Sequence, residues 1–175
     1  MVVTINRHCF MPDQSEQSHY KQEVLLYSSR IIQPQDKHMP HYQIRIDETL
    51  PVAVAQAFAT AADHQALGRL LAAPVKRIVD GQGDVNGVGS VRQIGPGLIG
   101  IQETVTAIDP GKSIHYRITK GGFPMTNHQG VMRFESAGTG CRVQWDIDFD
   151  MPPLLGDVVS ATLKRVLTQG LRRLR

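Results

Sequence analysis

Residues 113–149 read SIHYRITKGGFPMTNHQGVMRFESAGTGCRVQWDIDF, and their alternation decides the fold. Ile114, Tyr116 and Ile118 share one phase, as do Met132 and Phe134, and Val143, Trp145, Ile147 and Phe149. His115, Arg117, Arg133, Gln144, Asp146 and Asp148 occupy the other phase. Successive side chains of a strand point to opposite faces, so each run is a strand with one apolar and one wet face. The breaks KGGFPMTN and AGTG carry the glycine, proline and asparagine that tight connections require. Three neighbouring strands joined this way form an antiparallel meander.

The same grammar extends upstream. VKRIV, VGSVRQI and LIGIQETVTAI are separated by GQGDVNG and GPG, and DPGK leads into residue 113. Before them Tyr42, Ile44 and Ile46 alternate with Gln43, Arg45 and Asp47 in a further strand. Pro51 suits the first turn of a helix, and the alanine-rich VAVAQAFATAA places Val54 and Phe58 on one face. Asp63 is a natural N-cap for a second short helix, HQALGRLL, which ends before Pro74. Downstream, in LLGDVVSATLKRVLTQGLRRLR, Leu155, Val159, Thr162, Val166 and Gly170 form a stripe at helical spacing, flanked by Leu163 and Leu167. The expected order is strand, two short helices, six strands, one long helix. This is an α+β fold, and a curved antiparallel sheet of about seven strands gripping the last helix buries both apolar faces.

Residues 1–38 differ in kind. DQSEQSHYKQE and QPQDKHMP are polar and aperiodic around the short apolar island VLLYSSRII. They are expected to form a poorly ordered or peripheral arm, with one added strand near Val24–Tyr27 as the alternative. Met39 opens the organised part, residues 39–175, so the arm is either an extension or the product of a start placed too far upstream.

Composition narrows the function classes. The 175 residues, 41% hydrophobic and 20% charged, suffice for one domain with a real core. Cys9 and Cys141 are too few for a disulfide framework, so free thiols in a reducing, cytoplasmic setting are expected. No apolar run approaches the ~18 residues of a membrane span, and the N-terminus lacks the pattern of a secretory signal. Of 19 basic residues, five lie in 163–175 with no acid, which leaves 14 against 16 acids elsewhere. A near-neutral body with a basic terminal helix does not point to nucleic acid, and no aromatic residues interleave those arginines. A monomer or homodimer is expected.

Familiar motifs fail on context. GPGLIG matches the dinucleotide glycine string, but a strand follows where a helix must bind the pyrophosphate. GQGDVNGVG resembles a calcium loop, yet Gln82 and Gln93 stand where carboxylates belong; a flexible loop over a cavity mouth is the better reading. His41, His64, His115 and His128 lack metal-ligand spacing, so no metal or cofactor is expected. No nucleophile elbow is present.

The informative feature is polar groups in phase with the apolar face. Arg92 shares phase with Val88 and Ile94, Glu103 with Ile101 and Val105, and His128 with Met132 and Phe134. With Tyr116 and Trp145 these can converge inward. If a bulge shifts the phase, Arg92 and Glu103 instead pair across strands on the wet face. Buried charge is costly and is kept chiefly when paired or functional, which favours the inward arrangement.

From Tyr42 to Arg175 the chain resembles the START-related, polyketide cyclase and birch-pollen-allergen superfamily, the SRPBCC or helix-grip proteins. The resemblance rests on PVAVAQAFATAADHQAL after the first strand, then GVGSVRQI, ETVTAIDPGKSIHYRITKG, and GTGCRVQWDIDF before the last helix. It implies a deep cavity between sheet and helix for a lipid, sterol, polyketide, hormone or aromatic compound. Glu103 falls where related plant hormone receptors carry a cavity glutamate. Their cavity lysine has Lys76 or Arg77 as its possible counterpart. The residues expected to bind ligand are Arg92, Glu103, Tyr116, His128, Met132, Trp145, Val159 and Leu163. Three functions follow as expectations. The first is binding or transport of a small hydrophobic or amphipathic molecule. The second is a cyclase or dehydratase in which Glu103 or His128 moves a proton while Arg92 and Tyr116 stabilise an enolate. The third is an interaction module that uses the basic helix.

Overall fold

The computed structural model describes residues 39–174. The expected arm 1–38, with its VLLYSSRII island, lies outside the described residues. The elements run β1 (His41–Leu50), α1 (Val54–Ala62), α2 (His64–Leu71), β2 (Val75–Val79), β3 (Val91–Ile94), a 3-10 turn (Gly97–Ile99), β4 (Ile101–Asp109), β5 (Ser113–Lys120), β6 (Thr126–Ala137), β7 (Gly140–Asp150) and α3 (Pro153–Leu171). The sheet has seven strands in the order β1-β7-β6-β5-β4-β3-β2, all pairs antiparallel. The long pairing of β1 with β7 follows from residues far apart in the chain, and the meander supplies every other neighbour.

One sheet face carries the core. Ile44, Ile46, Ile114, Tyr116, Met132, Phe134, Val143, Trp145, Ile147 and Phe149 are all buried there. Asp63 caps α2 through Oδ1, which accepts the Ala66 N–H at 2.6 Å, so the expected cap is in place. Pro51 lies before α1, whose N-cap is Ala53, because Leu50 and Val52 are still held in the core.

The terminal helix buries only part of the stripe the spacing predicts. Leu155 is 51% and Val166 38% exposed, whereas Gly156, Leu167, Gly170 and Leu171 are buried. Close approach sets the helix rotation. A Cβ on Gly170 would stand 2.3 Å from the Leu70 carbonyl oxygen, so the smallest residue must face α2. Val159 and Leu163 remain partly buried against the core. Part of the basic run is engaged within the fold, since Arg172 Nη2 pairs with Glu48 on β1 at 2.8 Å.

Candidate functional site

Adjacent register places the central charges. Arg92 on β3 stands directly opposite Glu103 on β4, and both residues are buried, at 3% and 5% exposure. Arg92 donates from Nε to Glu103 Oε2 at 2.9 Å, and its Nη2 stands 2.9 Å from the same oxygen in an ion pair. The pair is therefore inward, and the wet-face alternative is set aside. Val88, expected on the apolar face with Arg92, is instead 39% exposed and precedes β3, while fully buried Ser90 continues the inward phase of Arg92.

Tyr116 on β5 extends this arrangement. The Arg92 guanidinium carbon lies 5.0 Å from the centre of the Tyr116 ring, a cation–π contact in a desolvated setting. Trp145 Nε1–H donates to the Tyr116 hydroxyl oxygen at 2.7 Å. Burial pushes the Tyr116 phenol well above its ordinary range, and the Glu103 charge adds to the effect. The ring fits because its cross-strand partner is Gly130; a Cβ there would meet Tyr116 Cζ at 2.2 Å. A glycine inside a strand often marks such a close approach.

His128 reaches the same wall through an irregularity in β6. Pairing with β7 shifts between Thr126 and Gln129, and Asn127 adopts φ 52°, a left-handed conformation asparagine tolerates. His128 is buried as a result, with its ring centre 5.7 Å from that of Tyr116. Its Nδ1 accepts the Ile118 N–H at 3.2 Å, so the neutral ring carries its proton on Nε2. Burial lowers its pKa, against a smaller upward pull from Glu103.

These groups line a cavity of about 270 Å³ between the sheet, α2 and α3. Arg92, Glu103, Tyr116, His128, Trp145, Val159 and Leu163 all line it, as the sequence phase anticipates. Met132 does not: it is 2% exposed and packed in the hydrophobic core between Ile114 and Trp145 on the neighbouring strands. Sequence reasoning missed Leu67 and Leu71 on α2, and Met125 in the β5–β6 connection. Phase could have found Ile118, but nothing local signals that α2 closes the cavity.

Two further expectations are corrected. Neither Lys76 nor Arg77 lines the cavity; Arg77 points to Asp80 at 2.6 Å and Asn86 at 3.2 Å, and Arg92 supplies the cavity cation instead. The GQGDVNG loop does not cover this cavity. It borders a separate depression with α1 and is tied by its own bonds, including Gln82 N–H to Val88 O and Gly87 N–H to Asp84 O. Among the described residues, no three His, Cys, Asp or Glu side chains cluster as a metal site requires.

The solved structures similar to this chain share its fold at low identity. A protein from Nitrosospira multiformis is 15% identical with a TM-score of 0.62, over 75% of this chain and 94% of that one. Norcoclaurine synthase from Thalictrum flavum, solved with dopamine and hydroxybenzaldehyde, is 12% identical with a TM-score of 0.58, over 78% and 87%. Ara h 8.0201 is 17% identical with a TM-score of 0.56, over 75% and 95%. No curated protein sequence matches the chain. The sequence pattern described as "Polyketide cyclase / dehydrase and lipid transport" matches residues 42–175, the whole span from β1 to the end of α3, and the chain therefore belongs to that family.

Proposed function

We propose that this protein binds a small hydrophobic or amphipathic molecule in the cavity beneath α3. One observation carries the reading: an otherwise apolar cavity holds a buried Arg92–Glu103 pair beside Tyr116 and His128. Ligand sites are typically concave, mostly apolar and supplied with a few convergent polar groups. Norcoclaurine synthase, with its two aromatic compounds, shows that this fold can house such molecules. Among the described residues no helix is long and apolar enough to cross a membrane; the cytoplasmic setting belongs to the same proposal and rests on reading the two cysteines as free thiols. Native mass spectrometry of gently purified protein tests the binding reading. A retained apolar adduct is expected, lost when Val159→Trp fills the cavity of a still-folded chain. An adduct that survives the filling variant would place binding elsewhere.

A second reading, a cyclase or dehydratase, is favoured by the His128 tautomer. Its neutral Nε2–H, which can hydrogen-bond a developing enolate oxygen, shares the cavity with the Glu103 carboxylate, which can take up a proton. Turnover of enolisable aryl ketones, abolished by His128→Phe with binding retained, would establish it.

A further inference from the structure

The charged groups of the cavity cancel, and that restricts what can enter. Among the residues lining it, Arg92 and Glu103 alone carry a formal charge, and they are paired. His128, its pKa lowered by burial, adds none at neutral pH. An anion entering this space gives up its water for surroundings with no net positive charge, which is costly in an apolar medium. Arg92 attracts such an anion and Glu103, bonded to it, repels it, so little of the desolvation is recovered.

The hydrogen-bonding capacity left over is more specific. Arg92 spends Nε on one oxygen of Glu103, with Nη2 ion-paired to that oxygen, and its described bonds leave Nη1 to donate and Glu103 Oε1 to accept. The Tyr116 oxygen accepts from Trp145, which leaves the phenolic proton to donate. His128 keeps Nε2–H because Nδ1 is held by Ile118. The wall thus offers donors from three groups and one acceptor oxygen. A carbonyl oxygen accepts two bonds, and a neighbouring hydroxyl donates to Glu103 while accepting the third. A carboxylate answers the donors but sets a second anion against Glu103 Oε1. An ammonium group does the reverse against Arg92.

We propose that the cavity selects an uncharged molecule whose polar end joins an acceptor oxygen to a hydroxyl, and rejects carboxylates of the same size. The proposal rests on the ligand-binding reading above. Trp145 is the sole tryptophan in the sequence, and its indole N–H bonds to Tyr116 at the cavity wall, so one NMR cross-peak reports occupancy. The full chain is titrated with 3-hydroxyacetophenone, 3-hydroxybenzoate and ethylbenzene at neutral pH. The ketone is expected to bind at least tenfold more tightly than either of the others. Glu103→Gln, which leaves Arg92 unopposed, is expected to reverse the order in favour of 3-hydroxybenzoate. If the carboxylate or ethylbenzene matches the ketone in the wild type, the selection is overturned while the cavity remains a binding site. If none of the three moves the indole peak, the binding reading falls and takes this proposal with it. A folded Glu103→Gln variant that keeps the wild-type order also overturns the proposal. Should that variant not fold, the wild-type series decides.

Discussion

Removing one partner of the Arg92–Glu103 pair should cost far more than removing both. Each side chain is at most 7% exposed, and the two are joined by contacts of 2.9 Å. Arg92→Met or Glu103→Met alone strands a buried charge, a change worth about 3–5 kcal/mol. Against a domain stability of about 5–15 kcal/mol, that is a large fraction. In the double variant no charge is stranded, and replacing a buried pair by apolar side chains is often neutral, so the net loss should be no more than about 1–2 kcal/mol. The assay is urea unfolding of the wild type, both single variants and the double variant, with m constant across the series. A built-in control is Arg142–Asp47, whose side chains are 45% and 48% exposed. Breaking that pair should cost no more than about 1 kcal/mol. Single effects at Arg92 and Glu103 that are as small as the control and simply add would refute the buried-pair reasoning.

Gly130→Ala should push the Tyr116 ring from its seat and cost about 1–3 kcal/mol, with the Trp145 indole N–H resonance shifting as its bond to Tyr116 is lost; an unmoved resonance would show that the ring has room. Buried His64, near Arg92 and Arg77, has its pKa lowered from 6.5 to about 4, chiefly by burial. The fold favours neutral His64, so its contribution is complete above pH 6.5 and falls as pH drops toward 4, by about 3 kcal/mol in all. Denaturant melts across that window should show a shallower slope for His64→Leu, with the remainder due partly to His128, which shifts in the same direction; an unchanged slope would exclude His64. Deleting residues 1–38 should leave the melting temperature within a few degrees, since their sequence has no sustained amphipathic period; a truncated chain that cannot fold would show the VLLYSSRII island to be structural.

Local chemistry made the strands legible. Side-chain phase in a strand is fixed by a two-residue repeat, so Ile114, Tyr116, Trp145 and Ile147 could be assigned to one face without knowing what lay above it. The same repeat, with a short connection between β3 and β4, brought Arg92 and Glu103 together on that face. Asp63 announced the start of α2 because an N-cap is satisfied within three residues. What the sequence alone determined was therefore the element order, the apolar sheet face and most of the polar groups on it. Where contacts join distant parts of the chain, local pattern was silent. Gly170, at one end of the predicted stripe, meets the Leu70 carbonyl a hundred residues upstream, while Leu155 at the other end stays exposed, and no local pattern distinguishes the two. That Met132 is core packing rather than cavity wall, and that Leu67 and Leu71 of α2 close the wall, depends on how the helices sit over the sheet. Periodicity says which side of an element is apolar. Which apolar residues meet one another, and which are left facing a space, is decided by packing between elements, and only the tertiary structure contains that.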